Sequence, residues 1–122
     1  MTIELTLPWP PRELSPNARL HWSKVAAAKR KYRAACWALT LEAGAHFVPK
    51  LPDSKLRVHL LFIAPDRRSY DLDGLLSRMK SGLDGMADAL KVNDKRFRPS
   101  IDISDDVGGM VKVRIEEVIC ES

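Results

Sequence analysis

The residues best suited to chemistry are two aspartates separated by one residue. Asp71 and Asp73 stand in the segment Arg67-Arg68-Ser69-Tyr70-Asp71-Leu72-Asp73-Gly74. Two such carboxylates can converge on one hard cation, because Mg²⁺ prefers oxygen ligands and is usually held by one or two carboxylates plus water and phosphate oxygens. We expect Asp94 to close the site as a third carboxylate. The pattern therefore predicts a magnesium site on Asp71, Asp73 and Asp94, with Mn²⁺ as a substitute ion.

A lysine accompanies this acidic pattern. Lys80 lies seven residues after Asp73, close to two helical turns, and Asp84 follows four residues later on the same face. A lysine there can hold a scissile phosphate or stabilise negative charge that develops in the transition state. A carboxylate-bound metal would polarise the phosphate, activate water and stabilise the leaving 3′ oxygen.

A structural interpretation competes with the metal site. An Asp before a helix is most often an N-cap, and either Asp71 or Asp73 can serve as one alone. The second Asp, the downstream Asp94, Lys80 and the preceding arginines favour a site more than a lone Asp would. The residues by themselves leave both interpretations open.

Hydrophobic periodicity predicts the elements that position these residues. Alternating apolar residues indicate strands, and apolar steps of three and four indicate helices. Gly44 is placed to end the first helix, whereas Gly82 and Gly85 weaken the later turns of the second. We expect Trp22 and Trp37 to lie in the core beside the first helix. The predicted elements are a strand over 2–7, a helix over 23–43, a strand over 56–64, a helix over 72–90, and a hairpin of strands near 97–104 and 111–115 joined by a turn at 105–109.

This order, β-α-β-α-β-β, predicts an α+β fold in which two helices pack on one face of a small mixed sheet. The 122 residues fit a single domain over 1–122. Cys36 and Cys120 match no metal or redox spacing, and no secretory signal precedes the domain, so we expect free thiols in a reducing cytoplasm. No apolar run is long enough to suggest a membrane partner.

The net charge of +4 is unevenly distributed. Residues 1–50 hold eight Lys or Arg against three Asp or Glu, while residues 51–122 hold twelve against thirteen. A basic half beside an acid-bearing half suits a protein that holds a polyanion and coordinates a cation. For any single lysine on the first helix, a solvated face is a better explanation than a phosphate contact. The candidate DNA contacts are Asn17, Arg19, Lys24, Lys29, Arg30, Arg33, Arg67 and Arg68.

Five segments together resemble the RusA-type Holliday junction resolvases, a family common in phages and prophages. The resemblance covers nearly the whole chain, and it depends on the order and spacing of the segments more than on any one of them. They are Leu7-Pro8-Trp9-Pro10-Pro11, Ser15-Pro16-Asn17-Ala18-Arg19 with His21-Trp22, Pro65-Asp66-Arg67-Arg68 with Asp71-Leu72-Asp73, Lys80 with Leu83-Asp84-Gly85-Met86, and Asn93-Asp94.

The resemblance implies that Asp71, Asp73 and Asp94 bind catalytic Mg²⁺ and that Lys80 assists at the phosphate. It also implies a homodimer that nicks two opposed strands of a four-way junction, since a two-fold symmetric substrate suits two related active sites. Two positions depart from the family pattern: Gly74 stands where Asn is usual, and Asn93 stands where a second Asp is frequent.

These departures motivate an alternative to the junction resolvase, a relative that binds branched DNA without cutting it. A third hypothesis is a metal-dependent phosphohydrolase that acts on small nucleotides. Loss of cutting in Asp71→Asn distinguishes an enzyme from a binder, and competition by mononucleotides would favour the third hypothesis.

Overall fold

The computed structural model describes residues 2–51 and 53–118 as four strands, three α-helices and two short 3₁₀ turns. The predicted α+β class with a mixed sheet is confirmed. The second predicted helix is divided in two at Met79, whose N–H bonds to the carbonyls of Leu76 and Ser77. The elements are β1 (Thr2–Pro8), α1 (Trp22–Ala43), β2 (Lys55–Ile63), α2 (Leu72–Arg78), α3 (Lys80–Leu90), β3 (Phe97–Ile103) and β4 (Met110–Val118), with 3₁₀ turns at Arg12–Leu14 and Asp94–Arg96.

The last two strands do not form the hairpin that their sequence suggested. The sheet order is β1-β4-β2-β3, so β4 lies between β1 and β2 and pairs antiparallel with both. β3 is an edge strand that runs parallel to β2. Pro99 within β3 suits an edge, because proline has no N–H to donate to a second neighbour. The chain therefore crosses over the end of β2 between β3 and β4, where Ser104 N–H bonds to Phe62 O and Gly109 N–H to Ile63 O.

Strand direction decides which loops meet. Pro8 of β1 and Ile63 of β2 are both partners of Met110, so β1 and β2 end at the same edge of the sheet. We call this the upper edge. The segment that follows β1 and the segment that precedes α2 both leave from it. Phe97 at the start of β3 pairs with Leu56 near the start of β2, so the residues that precede β3 lie at the opposite, lower edge.

The core lies between one face of the sheet and the helices. Alternate residues of each central strand are buried on that face, as the period of two predicts. α1 contributes Tyr32, Cys36 and Thr40, which recur every four residues along one side of the helix. The buried strand residues are Leu56, Val58, Leu60 and Phe62 in β2, and Val111, Val113 and Ile115 in β4.

The two tryptophans of α1 are not core residues. Trp22 is 75% exposed and Trp37 is 39% exposed, so the expectation that both are buried is wrong. Trp37 follows the buried Cys36 by one residue, which turns it about 100° away from the buried side of the helix. Trp9, in contrast, packs edge-on against Phe62 with ring centroids 5.9 Å apart.

The glycines that weakened the prediction of the second helix lie where α3 crosses α1. A Cβ at Gly82 would lie 2.7 Å from Cε2 of Tyr32, and a Cβ at Gly85 would lie 2.4 Å from the carbonyl oxygen of Arg33. Both distances are too short for a real side chain, so the crossing requires glycine. Cys36 is a buried free thiol, while Cys120 lies outside the described residues. No described helix has the length and apolar character needed to span a bilayer.

Candidate active site at the upper edge of the sheet

Asp71 and Asp73 lie together at the upper edge, in a cavity of about 360 Å³. Asp71 is the residue before α2, and Asp73 is in the first turn of that helix. The same cavity is lined by residues from the segment after β1 and from the end of α2. The polar residues that bear on its chemistry are Ser15, Asn17, Arg68, Asp71, Asp73 and Arg78.

The capping interpretation of Asp71 can be compared directly with its geometry. Asp71 occupies the N-cap position with extended backbone angles, but its side chain makes no capping hydrogen bond. Among the described residues, the carboxylate of neither Asp71 nor Asp73 has a hydrogen-bond or ion-pair partner, although the backbone carbonyl of Asp71 accepts from the N–H of Leu75. Both carboxylates are exposed to solvent within the cavity. Oxygen ligands that have no partner in the protein are available to a cation.

The segment before α2 is held by Asp66. Its carboxylate accepts hydrogen bonds from the N–H of Arg68 (3.0 Å) and from the hydroxyl of Tyr70 (2.9 Å). The bond from the Arg68 N–H is the main reason that the pKa of Asp66 is lowered. The ring of Tyr70 packs edge-on against Trp9, with centroids 5.3 Å apart. These contacts tie the segment after β2 to the end of β1 and so fix the position from which α2 starts.

Arg78 lines this cavity together with Arg68. It lies seven residues after Asp71, and helical side chains lean toward the helix N-terminus, so its long side chain covers the turn that faces the carboxylates. Sequence reasoning assigned this role to Lys80. Lys80 is exposed at the start of α3 and does not line the cavity. The spacing between Asp71 and Arg78 was the available signal for Arg78.

Asp94 does not line the cavity of Asp71 and Asp73. It lies in the 3₁₀ turn that precedes β3, at the lower edge of the sheet, beside Asp84 of α3. Burial raises the pKa of Asp84, and the neighbouring Asp94 raises it further. Asn93 caps the same turn by accepting from the N–H of Lys95 at 2.9 Å. Within residues 2–51 and 53–118, no three His, Cys, Asp or Glu side chains are grouped so as to hold a metal ion.

The predicted DNA contacts fall into two groups. Asn17, Arg19 and Arg68 surround the upper-edge cavities, and Arg67 lies beside Arg68 in the same exposed segment. The second group is on α1, where Lys24, Lys29 and Arg30 are exposed. Arg33 is also exposed, but it forms an ion pair with Asp88 of α3 at 3.2 Å. At the start of α1, the ring of His21 accepts a hydrogen bond from the N–H of Ser23 and caps the helix.

Another concavity, of about 640 Å³, lies on the sheet face that the helices leave uncovered. Two of the charged residues that line it, His59 and Arg114, already have a partner in Glu116. Glu116 binds His59 at 3.0 Å and Arg114 at 3.2 Å, and the hydrogen bond from His59 is the main cause of the lowered pKa of Glu116. Glu4 is the one acidic residue among the described residues that line this concavity, so the upper edge, with Asp71 and Asp73, is the better candidate for catalysis.

The chain was compared with known proteins. No protein-family model matches it. Over 113 residues it is 37% identical to a protein of Xylella fastidiosa (strain Temecula1) that bears the name "Uncharacterized protein". The alignment covers 91% of this chain and 74% of that relative.

Proposed function

We propose that this chain, which belongs to the same family as the Xylella fastidiosa protein, is a magnesium-dependent endonuclease that resolves four-way DNA junctions. The observation that carries the proposal is the pair of carboxylates without partners, Asp71 and Asp73, in a cavity that also contains Arg68 and Arg78. Cation ligands beside phosphate-binding groups are what phosphodiester hydrolysis requires. The resemblance to the RusA-type resolvases supports the same activity.

The residues present fit a magnesium ion. Asp71 and Asp73 would hold it, since one or two carboxylates with water and phosphate oxygens complete the usual coordination of this cation. The bound ion would supply Lewis-acid polarisation of the phosphate and a lowered pKa of attacking water. Arg78 and Arg68 would bind the non-bridging phosphate oxygens and orient the scissile group, since guanidinium groups match the geometry of phosphate. Asn17, in the segment that follows β1, would help to position the DNA strand in the cavity.

The proposed homodimer offers a way for Asp94 to reach the site of Asp71 and Asp73. Asp94 lies beside Asp84 of α3 and outside the cavity that contains Asp71 and Asp73. In the proposed homodimer, a second protomer would supply Asp94 to this cavity. A two-fold interface would then supply both sites at once, because each protomer would give its Asp94 to the other.

The test is a cleavage assay on a synthetic four-way junction, with and without Mg²⁺. We expect paired nicks with 5′-phosphate and 3′-hydroxyl ends. Asp71→Asn should lower the cleavage rate by more than the roughly 10–100-fold that follows loss of an outer-shell metal partner. It should keep or improve junction affinity, since one charge that repels phosphate is removed.

The matched control is Asp102→Asn, which makes the same change on the uncovered face of the sheet. Its cleavage rate should equal that of the wild type. Absence of nicks with folded protein, in Mg²⁺ and Mn²⁺ and on several junction sequences, would overturn the proposal. Nicking that Asp71→Asn leaves unchanged would remove the assigned site.

The separation of Asp94 from Asp71 and Asp73 within one chain favours a second candidate, a protein that binds branched DNA without cutting it. Asn93 serves that candidate as well, since it caps a turn where the family frequently has a second Asp. The same assay decides between the two. A pure binder would show junction affinity without nicks, and Asp71→Asn would change only that affinity.

A further inference from the structure

A second cavity adjoins the carboxylate cavity at the upper edge. It has a volume of about 320 Å³, and the two cavities share Ser15, Asn17 and Arg78 as a common wall. Its other charged residues are Arg12 and Arg19, and no acidic side chain lines it. The groove therefore passes from two carboxylates at one end, past Arg78 on the shared wall, to Arg12 and Arg19 at the other.

The arginines are available to bind a ligand. Among the described residues, the guanidinium group of neither Arg19 nor Arg78 has a hydrogen-bond or ion-pair partner. Arg12 has one contact of 3.7 Å with its neighbour Glu13, and the side chain of Arg12 is 88% exposed. An ion pair that is exposed to solvent contributes little free energy, so all three guanidinium groups remain free to bind an anion.

The segment that carries Arg19 is ordered by its own hydrogen bonds. The N–H of Ala18 donates to the carbonyl of Ser15 at 3.0 Å, and the N–H of Asn17 approaches the hydroxyl of Ser15 at 3.4 Å. The turn holds Asn17 on the shared wall and places Arg19 on the basic side of it. An anion that enters this cavity thus meets positive groups that a hydrogen-bonded turn and a helix already position.

The charge pattern along the groove matches a nucleic-acid strand. Each nucleotide carries one phosphate, so a strand with its scissile phosphate at Asp71 and Asp73 must place a neighbouring phosphate nearby. We propose that Arg12, Arg19 and Arg78 form a subsite for the phosphodiester adjacent to the scissile one. This inference rests on the proposed function and specifies how that site would hold its substrate: it binds a strand through two consecutive phosphates. Arg78, on the shared wall, is the residue that borders both of them.

The test measures equilibrium binding of a four-way junction without divalent metal, so that cleavage does not interfere. The proteins are the wild type, Arg78→Gln, Arg19→Gln and the control Lys112→Gln, which removes one positive charge from the uncovered sheet face. In a set of junctions, single phosphates on either side of the mapped cut are replaced by uncharged methylphosphonates. Each protein is titrated against each junction.

We expect Arg78→Gln to weaken binding about tenfold and to reduce the slope of log affinity against log salt by about one. Arg19→Gln should act in the same direction, and Lys112→Gln should change affinity by less than about twofold. At one position next to the cut, the methylphosphonate should weaken binding by the wild type but not by Arg78→Gln. If removing the phosphate charge has no further effect once Arg78 is replaced, the two changes are not additive, and Arg78 and that phosphate contact each other.

The inference is overturned if wild type and both arginine variants respond alike to the methylphosphonate at every position beside the cut. Magnesium-dependent nicking by the wild type would then still support the proposed function without the subsite. If the wild type neither binds nor nicks the junction, both proposals are overturned. Arg19→Gln, in an exposed segment, keeps the test decisive if Arg78→Gln fails to fold.

Discussion

The crossing of α1 and α3 makes a quantitative prediction for Gly85→Ala. An ideal Cβ at Gly85 would lie 2.4 Å from the carbonyl oxygen of Arg33, and ordinary contacts begin near 3.4 Å. The obstacle is backbone, so the two helices must separate by about 1 Å. Overpacking of this kind costs typically about 1–3 kcal/mol and occasionally more. The higher helix propensity of Ala relative to Gly offsets about 1 kcal/mol of this cost.

The steric cost should lie near the upper end of that range, about 3 kcal/mol, because Gly82 makes the same crossing tight against Tyr32. We expect Gly85→Ala to lower the free energy of unfolding by about 2 kcal/mol. Gly74→Ala is the matched control, since it makes the same change in α2, where the new Cβ would meet only Asp71, at 3.7 Å or more. It should raise the free energy of unfolding by about 0.5–1 kcal/mol.

The assay is urea unfolding followed by tryptophan fluorescence, with the slope of the transition checked for two-state behaviour. The difference between the two variants, about 3 kcal/mol, isolates the steric effect because helix propensity is common to both. A Gly85→Ala protein as stable as Gly74→Ala would refute the close approach of α3 to the backbone of α1.

Two further predictions concern stability. The carboxylate of Glu117 accepts from the hydroxyl of Ser54 and from the N–H groups of Lys50 (2.9 Å) and Leu51 (3.1 Å), which lower its pKa from about 4.5 to about 2. Because the pKa is lower in the folded state, this carboxylate stabilises the fold fully above pH 4.5, and the stabilisation is lost as the pH falls toward 2. The free energy of unfolding of Glu117→Gln should therefore depend less on pH between 4.5 and 2 than that of the control Glu42→Gln. The hydroxyl of Tyr32 donates to the carbonyl of Pro8 at 2.8 Å, so Tyr32→Phe should cost about 1 kcal/mol in urea unfolding; an unchanged midpoint would contradict this.

The positions of Asp71 and Asp73 were predictable because their proximity is local. Asp71 and Asp73 are separated by one residue at the start of α2, so they lie close together in any fold that contains this helix. The apolar spacing from Leu72 onward predicted the helix. Asn17 and Arg19 could be assigned to the same site only by resemblance. The structure brings them there because β1 and β2 end at the same edge of the sheet.

Gly82 and Gly85 were expected to weaken the second helix, and the structure shows why glycine is needed there. Gly82 and Gly85 do weaken an isolated helix, as their intrinsic propensity indicates. Their role becomes visible only when α1 is in place, since the atoms that exclude a Cβ belong to Tyr32 and Arg33. Propensity is a property of one segment, whereas close approach is a property of two.

The sequence by itself determined the α+β class, the bounds of most helices and strands, and the pairing of Asp71 with Asp73, because each depends on periodicity or on neighbours along the chain. The tertiary structure alone decided that β4 enters the middle of the sheet and that β3 runs parallel to β2. Strand direction and order are set by contacts between distant segments, and the side-chain pattern of one strand is the same in either direction. That is why Asp94, which the sequence assigned to the upper edge, lies beside Asp84 at the lower one.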